Sequence, residues 1–208
     1  FAIENVSRVF TAEMNRHRAG WAISEGSMRF IRFSKDIPYW EPDSIRGPDV
    51  LGTSEQIREA FIDQGPEPLL RELKLARTGA PIRTLDGKKQ MTREVFRAAF
   101  ENQTAWYAVM EKLWEDELSP ASKFAGKKEI TSLMRRIVGL GVATGGKWTG
   151  NIRALRHVLT MRCAPSAEEE ILHVFSRICV MMKEKEPFMF GDFEKDGAGF
   201  WVPRYKKV

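Results

Sequence analysis

Residues 166–187 constrain the fold more than any other stretch. Ser166 and Glu169 form a capping-box pair. Behind them Ala167, Ile171, Val174, Phe175, Ile178 and Met182 recur at three- and four-residue steps until Pro187 ends the run. A helix with one strongly apolar face must bury that face, so the rest of the chain has to supply a layer for it. The methionines and phenylalanines of 181–193 read as packing or subunit contacts rather than a cofactor box. The last dozen residues, with Gly197, Gly199, Lys206 and Lys207, read as a tail.

The same pattern rules predict the other elements. Phe1 to Val6 is a strand end, followed by a helix with Val6, Val9, Phe10 and Met14 inward. Met28 to Phe33 alternates apolar and basic side chains and reads as a strand. Thr53 with Gln56 is a second capping box, opening a short helix that ends near Gly65. Pro66 and Pro68 break the chain before a helix over 69–77, and Gly79, Pro81 and Asp86-Gly87 predict a turn or hairpin across 78–89. A long helix follows over 93–117, with Val95, Ala99, Trp106, Met110 and Leu113 as its stripe and Trp106 and Met110 in the core. A loop at 119–127 leads to a helix from Lys128 that buries Ile130, Leu133, Met134 and Ile137. Gly145-Gly146, Trp148 and Thr149 form an extended stretch before a helix from Asn151 to Arg162. On that helix Ile152, Leu155 and Leu159 point inward, and Arg153 and His157 lie within about 40° of each other on another face. Arg162 projects near the apolar stripe; an anion or an electron-rich ring is expected to meet it there, unless the helix has already ended and the side chain bends into water.

With 208 residues and 43% apolar content the chain can build one domain over 1–208 with a proper core. No apolar run reaches the roughly 18 residues that span a bilayer. Cys163 and Cys179 make neither a disulfide framework nor a metal pattern, so no metal site is expected and a reducing cytoplasm is the natural location. The chain begins at Phe1 with no signal-like segment, which reads as a fragment missing its natural start. A net charge of +5 suits a polyanionic partner without choosing among nucleic acid, nucleotides and flavin phosphates.

The densest chemistry lies at 15–30, NRHRAGWAISEGSMRF. Arg16, His17 and Arg18 stand in a row, and Glu25, Ser27 and Arg29 follow at every second position, with Ala19, Gly20 and Gly26 between them. Guanidinium forks bind phosphate oxygens bidentately, and glycines allow a ligand close to the backbone. Cations at a helix C-terminus are also favoured by the helix dipole without any ligand. A solvated turn with surface ion pairs is therefore the competing reading.

Taken together, Arg16-His17-Arg18 and the tail Ser24-Glu25-Gly26-Ser27-Met28-Arg29-Phe30 resemble the RHRxxSxNExSxR signature of the flavin-dependent thymidylate synthases. Ser24 stands where the family has Asn and Phe30 where it usually has Tyr. The gap between Arg18 and Ser27 is one residue longer than usual, which predicts a loop rebuilt around Trp21. In the second half RRIVGL, at 135–140, is similar to the family's ARxVLP. WTGNIRALRHVLTMR, at 148–162, is similar to WTxNxRxLxxFxxLR, and AEEEI, at 167–171, is similar to AQxEI with Glu168 for Gln. The likeness covers most of 1–40 and 128–190. Residues 41–127 form a longer middle insertion, and the family's usual N-terminal His-x-Thr/Ser-Pro-Phe-Glu-His segment, part of its flavin site, is absent.

The resemblance implies an α+β fold, a twisted antiparallel sheet flanked by helices, assembled as a homotetramer with flavin sites between subunits. It implies reductive methylation of dUMP to dTMP, with methylenetetrahydrofolate giving the carbon, FAD the hydride and NADPH the regenerating electrons. Glu25, Gly26, Ser27, Arg29, Arg136 and Arg162 would bind dUMP, with Arg162 gripping the pyrimidine as the catalytic residue. Arg16, His17, Arg18, Asn151, Arg153 and His157 would contact FAD. The alternatives are a related methylase of UMP or another pyrimidine nucleotide, left open by the longer loop and missing Asn, and a non-catalytic basic nucleic-acid binder. The last lacks the aromatic platform of single-strand binders.

Overall fold

The computed structural model describes residues 1–28, 31–33, 36–59, 64–75 and 83–205. Along the chain run β1 (Ala2–Ser7), α1 (Arg8–Met14), β2 (Trp21–Glu25), α2 (Ser54–Ile57), α3 (Pro66–Leu75) and α4 (Leu85–Leu113). They are followed by α5 (Glu115–Leu118), α6 (Phe124–Met134), β3 (Ala143–Gly150), α7 (Ile152–Arg162), α8 (Glu169–Lys185), α9 (Pro187–Phe190), β4 (Phe193–Lys195) and β5 (Trp201–Pro203). The architecture is mixed α and β with small antiparallel sheets, as the resemblance implies. Two compact units partition it: Phe1–Gly26 with Ala143–Val208, and Ser27–Val142.

The first unit is built on a three-stranded antiparallel sheet in the order β1-β3-β2. Glycines put β3 in the middle. A Cβ at Gly145 would come within 2.8 Å of the Ile3 carbonyl oxygen, and one at Gly146 within 2.7 Å of that of Ser24, so both neighbours approach closely only because those side chains are missing. Ser7 ends β1 and caps α1, its hydroxyl accepting from Phe10 N–H at 3.2 Å. Beneath the sheet Phe10, Trp148, Phe175, Leu159 and Ile171 close one core, extended by Phe190 and Phe193. The amphipathic run is α8 as expected, but it begins at Glu169. Its cap is the carboxylate of Glu168, which accepts from Glu170 and Ile171 N–H, and not the Ser166–Glu169 box. A carboxylate at a helix N-terminus gains from the dipole as well as from the two hydrogen bonds, and so displaces the serine.

Residues after α8 are not a tail. β4 and β5 pair as a hairpin, closed by Asp196, whose Oδ1 accepts from Ala198 and Phe200 N–H, and by Gly199 at φ 89°. The hairpin is held by Arg156 of α7, buried, with a bidentate pair to Asp192 at 2.7 and 2.8 Å and its guanidinium 5.0 Å from the Phe193 ring. Lys206 and Lys207 lie outside the described residues.

The second unit is helical. Thr53 and Gln56 make the expected capping box at the start of α2. Pro66 does not break the chain before a helix but opens α3 itself, since an N-terminal proline forfeits no helical hydrogen bond. Asp86-Gly87 is not a turn. It forms the first turn of α4, where Thr84 accepts from Gly87 N–H at 3.1 Å. That cap starts the long helix well ahead of the expected residue 93. α6 likewise starts at Phe124, inside the expected loop, and passes into a 3-10 turn at Arg135–Ile137.

The inward face of α4 also differs. Gln90, Met91, Glu94 and Ala98 are buried in its first half, and Phe100 and Tyr107 in its second. Of the expected stripe, Val95, Ala99, Trp106 (66%) and Leu113 (73%) are exposed, and only Met110 packs on a core. The buried polar pair is satisfied: Gln90 accepts from Leu51 N–H at 2.7 Å and donates to the Gly52 carbonyl at 2.7 Å, while Glu94 accepts from Ser54 at 2.8 Å. Polar groups fixed this way can face inward, and the apolar stripe is turned out. In α6, Ile130 and Met134 are buried but Leu133 is exposed, as is Ile137 on the 3-10 turn that follows. Met28 and residues 31–33 carry no strand; the chain uses its extended segment earlier, at β2, where β3 offers an open edge.

Candidate active site

Within the first unit, residues 13–20 run alongside α7 from its last residue to its first. At the C-terminal end, Arg162 donates through Nε to His17 Nε2 at 2.8 Å and pairs through Nη2 with Glu13 at 3.1 Å. Glu13 is shared with Arg16, at 3.0 Å. At the N-terminal end, Asn151 N–H donates to the Gly20 carbonyl at 3.1 Å. Gly20 sits at φ +76°, and a Cβ there would come within 2.6 Å of the Asn151 amide nitrogen. Only glycine serves at this position on both counts. Asn151 is the N-cap of α7, its side-chain oxygen accepting from Ala154 N–H at 2.8 Å. The loop and the helix thus define a strip about 16 Å long, from the rise of a helix between residues 151 and 162.

The strip is lined with donors. Arg153 and His157 are exposed, four apart on one face of α7. His17 stands edge-on to His157 with ring centroids 6.4 Å apart. Arg16 and Arg18 are exposed in the loop. Because the Arg162 guanidinium donates to Nε2, the His17 ring is neutral, with its proton on Nδ1. Burial lowers the His17 pKa first, and the charges of Arg162, His157 and Arg16 add to that. For Glu13 burial acts upward, but the Arg16 and Arg162 contacts outweigh it and leave its pKa lowered. Arg162 is therefore met by an anion and a ring, and does not bend into water. A row of guanidinium and imidazole groups along one strip can meet an anionic ligand with several charged or polar contacts at once. Four buried polar atoms of this unit, Arg8 Nε, Trp21 Nε1, Thr144 Oγ1 and Arg156 Nε, have no hydrogen-bond partner among the described residues.

Glu25 points inward. Its carboxylate accepts from Arg8 at 2.6 Å and from Asn15 at 3.0 Å, and Asn15 in turn accepts from Trp148 Nε1 at 3.3 Å. Gly26 lies against β3, its N–H donating to the Gly145 carbonyl at 2.8 Å. Arg8 also donates to the Gly26 carbonyl at 2.8 Å. These contacts hold the turn that leads to Ser27. Ser27 and Arg136 belong to the second unit, Arg136 exposed on the 3-10 turn after α6. Arg29 lies outside the described residues. The structure thus brings together Arg16, His17, Arg18, Asn151, Arg153, His157 and Arg162, and ties Glu25 and Gly26 to the same sheet.

Three participants escaped the sequence reading. Glu13 stands three residues before Arg16, a spacing that would have revealed it as an ion-pair partner on a helix. Arg8 and Asn15 meet Glu25 only through the pairing of β2 with β3, which no local pattern announces. A fourth group, Glu170, is buried under α1. It accepts from the Ser7 N–H at 2.6 Å and from the Ser7 hydroxyl, and burial raises its pKa against those hydrogen bonds.

Known proteins resemble this chain along most of its length. The family described as thymidylate synthase complementing protein matches residues 1–188. The flavin-dependent thymidylate synthase of Corynebacterium diphtheriae is 26% identical over 192 residues, which cover 92% of this chain and 60% of that protein. Its counterpart from Corynebacterium efficiens is 23% identical with the same coverage. The chain therefore spans about 60% of the length of these curated relatives. A UMP/dUMP methylase from Streptomyces cacaoi, PolB, solved with 5-Br dUMP, superposes with a TM-score of 0.54 at 17% identity, covering 90% of this chain and 67% of that one. This likeness concerns the fold.

Proposed function

Since the chain belongs to the thymidylate synthase complementing protein family, we propose that it is a flavin-dependent thymidylate synthase, converting dUMP to dTMP with FAD, NADPH and methylenetetrahydrofolate. The observation that carries this reading is Arg162, held at the end of a donor-lined strip by His17 and Glu13. FAD, when bound, supplies the hydride, NADPH restores it and the folate provides the carbon.

The chain's own groups bind, orient and polarise. Arg16, His17, Arg18, Asn151, Arg153 and His157 hold the flavin, guanidinium forks meeting its phosphates. Ser27, Arg29 and Arg136 clamp the nucleotide phosphate, with Gly26 allowing close backbone approach. Ser27 holds phosphate and does not act as a nucleophile. Arg162 lies beside the uracil ring and favours negative charge as it develops there. Neutral His17 keeps a lone pair on the Arg162 Nε–H and so fixes the direction of the fork. Glu25 acts at one remove, holding Arg8 and Asn15 under the turn that presents Gly26 and Ser27. Sites shared between subunits of a homotetramer would bring the two groups of residues together.

The full-length purified protein is expected to be yellow, with flavin absorption bands. It is also expected to oxidise NADPH in a dUMP-dependent reaction that releases the hydrogen on carbon 5. Arg162→Ala should lower that turnover by about 10²–10³ with the far-UV circular dichroism unchanged. Unaltered turnover would remove Arg162 from the reaction. Ser24 in place of Asn and the longer loop support a second reading, a UMP methylase, and a preference for UMP over dUMP in the same assay would select it. A colourless protein whose oligonucleotide affinity falls steeply with salt would replace both with a nucleic-acid binder.

A further inference from the structure

One side chain fastens the β4–β5 hairpin to the middle of α7. Arg156 is 6% exposed. Besides its bidentate pair with Asp192, at 2.7 and 2.8 Å, its guanidinium donates to the carbonyls of Met189 and, at 3.4 Å, Tyr205. Asp192 also accepts from Tyr205 N–H at 3.2 Å, and the rings of Phe190 and Phe193 stand 5.9 and 5.0 Å from the guanidinium. The hairpin is itself fixed to α8, where Lys183 donates to the Phe193 carbonyl and lies 5.1 Å from the Trp201 ring. Asp192, Phe193 and Trp201 all lie past residue 188, where the family match ends.

The place of Arg156 on the helix gives this clasp leverage over the strip. At about 100° per residue, Arg156 lies about 60° from Arg153 and about 100° from His157 around the axis of α7. The two exposed groups therefore turn with it. The ends of α7 are tied by the Asn151–Gly20 contact and by Arg162 on His17 and Glu13. Between those ends Leu155, Val158 and Leu159 face the core. Apolar burial is non-directional, whereas a bidentate guanidinium–carboxylate pair has one geometry. With side chains reaching about 5–6 Å from the axis, a turn of about 10° moves them by about 1 Å. A misplacement of that size can cost about 10²-fold where contacts must be aligned. We propose that the Arg156–Asp192 clasp sets the rotation of α7 about its axis and so aims Arg153 and His157 at the flavin. Arg156 and Asp192 are then positioning residues for cofactor binding, and the hairpin is a structural part of the flavin site. The inference rests on the assignment of Arg153 and His157 to the flavin.

Titration of the whole, flavin-stripped chain with FAD, followed by flavin fluorescence and set beside urea unfolding, tests it. Asp192→Asn strands the guanidinium, and should lower the urea midpoint and raise the Kd for FAD by about tenfold or more. Arg156→Met combined with Asp192→Asn removes the clasp without leaving a buried charge alone, since an apolar side chain of similar length can lie against Phe190 and Phe193. In that double variant the urea midpoint should return towards the wild-type value while the Kd for FAD stays raised. A clasp that served stability alone would restore both together. A double variant that binds FAD like the wild type therefore overturns the proposal and leaves the flavin assignment standing. Arg156→Lys keeps the charge but not the fork, and should also raise the Kd; an unchanged value there overturns the proposal even if the double variant does not fold. A wild-type chain that takes up no FAD overturns the flavin reading together with this inference.

Discussion

The two units treat their large apolar side chains in opposite ways. In the first, Trp148, Phe10, Phe175, Phe190 and Phe193 are all inside, and Phe188 is the chief exception. In the second, Trp106, Leu113, Phe124 and Leu140 are largely exposed, while Gln90 and Glu94 are buried. Both units bury polar anchors, Arg156 and Glu170 in the first and Gln90 and Glu94 in the second, but the first encloses its large aromatics and lines its surface strip with polar groups, whereas the second leaves several large apolar side chains outside. The difference assigns them different work. An outward row of cations beside a closed core is equipped to handle anionic small molecules, whereas an outward apolar seam is equipped for contact with protein.

The contrast can be broken most forcefully at single aromatics. Phe175→Ala should cost about 3–5 kcal/mol of stability, and Leu113→Ala within about 0.5 kcal/mol when measured on the monomer, both by urea unfolding. Comparable losses would show that the seam on α4 belongs to an interior. Asp192→Asn comes next. It strands the buried Arg156 guanidinium and should cost about 3 kcal/mol, read as a lower urea midpoint. The Arg156 hydrogen bond lowers the Asp192 pKa despite burial, so the sign follows. Its contribution is complete above the ordinary carboxylate value of about 4 and disappears as pH falls through the depressed value in the folded state. The wild type should therefore lose its advantage over Asp192→Asn only in acid. A gap between the two that persisted in strong acid would refute this linkage. The smallest effect sharpens the picture of the strip. Asn151→Ala removes the cap of α7 and should cost about 1 kcal/mol, whereas Asn151→Asp, which keeps a capping oxygen, should retain most of it. Equal losses would mean that the Gly20 contact, not the cap, sets the position of α7.

Much of the first unit was legible in the sequence because its signals are local. The periodicity of α8 and α7, the strand ends and the clustered motif residues all appear within a dozen positions of one another. The strip itself could be anticipated only in part. The need for a partner at Arg162 followed from its place near an apolar stripe, but that Glu13 and His17 supply it depends on a turn at Gly20 that folds the loop back along α7. In the second unit the patterns misled for a definite reason. Apolar periodicity on α4 was real, yet it marked the outer face, because the inward positions are held by Gln90 and Glu94 through bonds to Leu51, Gly52 and Ser54. Nothing local distinguishes a stripe that faces a core from one that faces a neighbour. Alternation at 28–33 likewise looked like a strand, whereas β2 formed upstream where the glycines of β3 let two backbones come close.

The carboxylate of Glu13 has one more consequence. Arg162 arrives at the strip already neutralised, so an incoming anion does not find a bare cation but takes over from an internal tenant. Ligand capture becomes a swap of one negative group for another, with little net change in local charge. Affinity at that guanidinium should consequently respond less to ionic strength than it would at an unaccompanied arginine, and should discriminate in favour of groups that grip Nη2 better than the Glu13 carboxylate does while His17 stays on Nε.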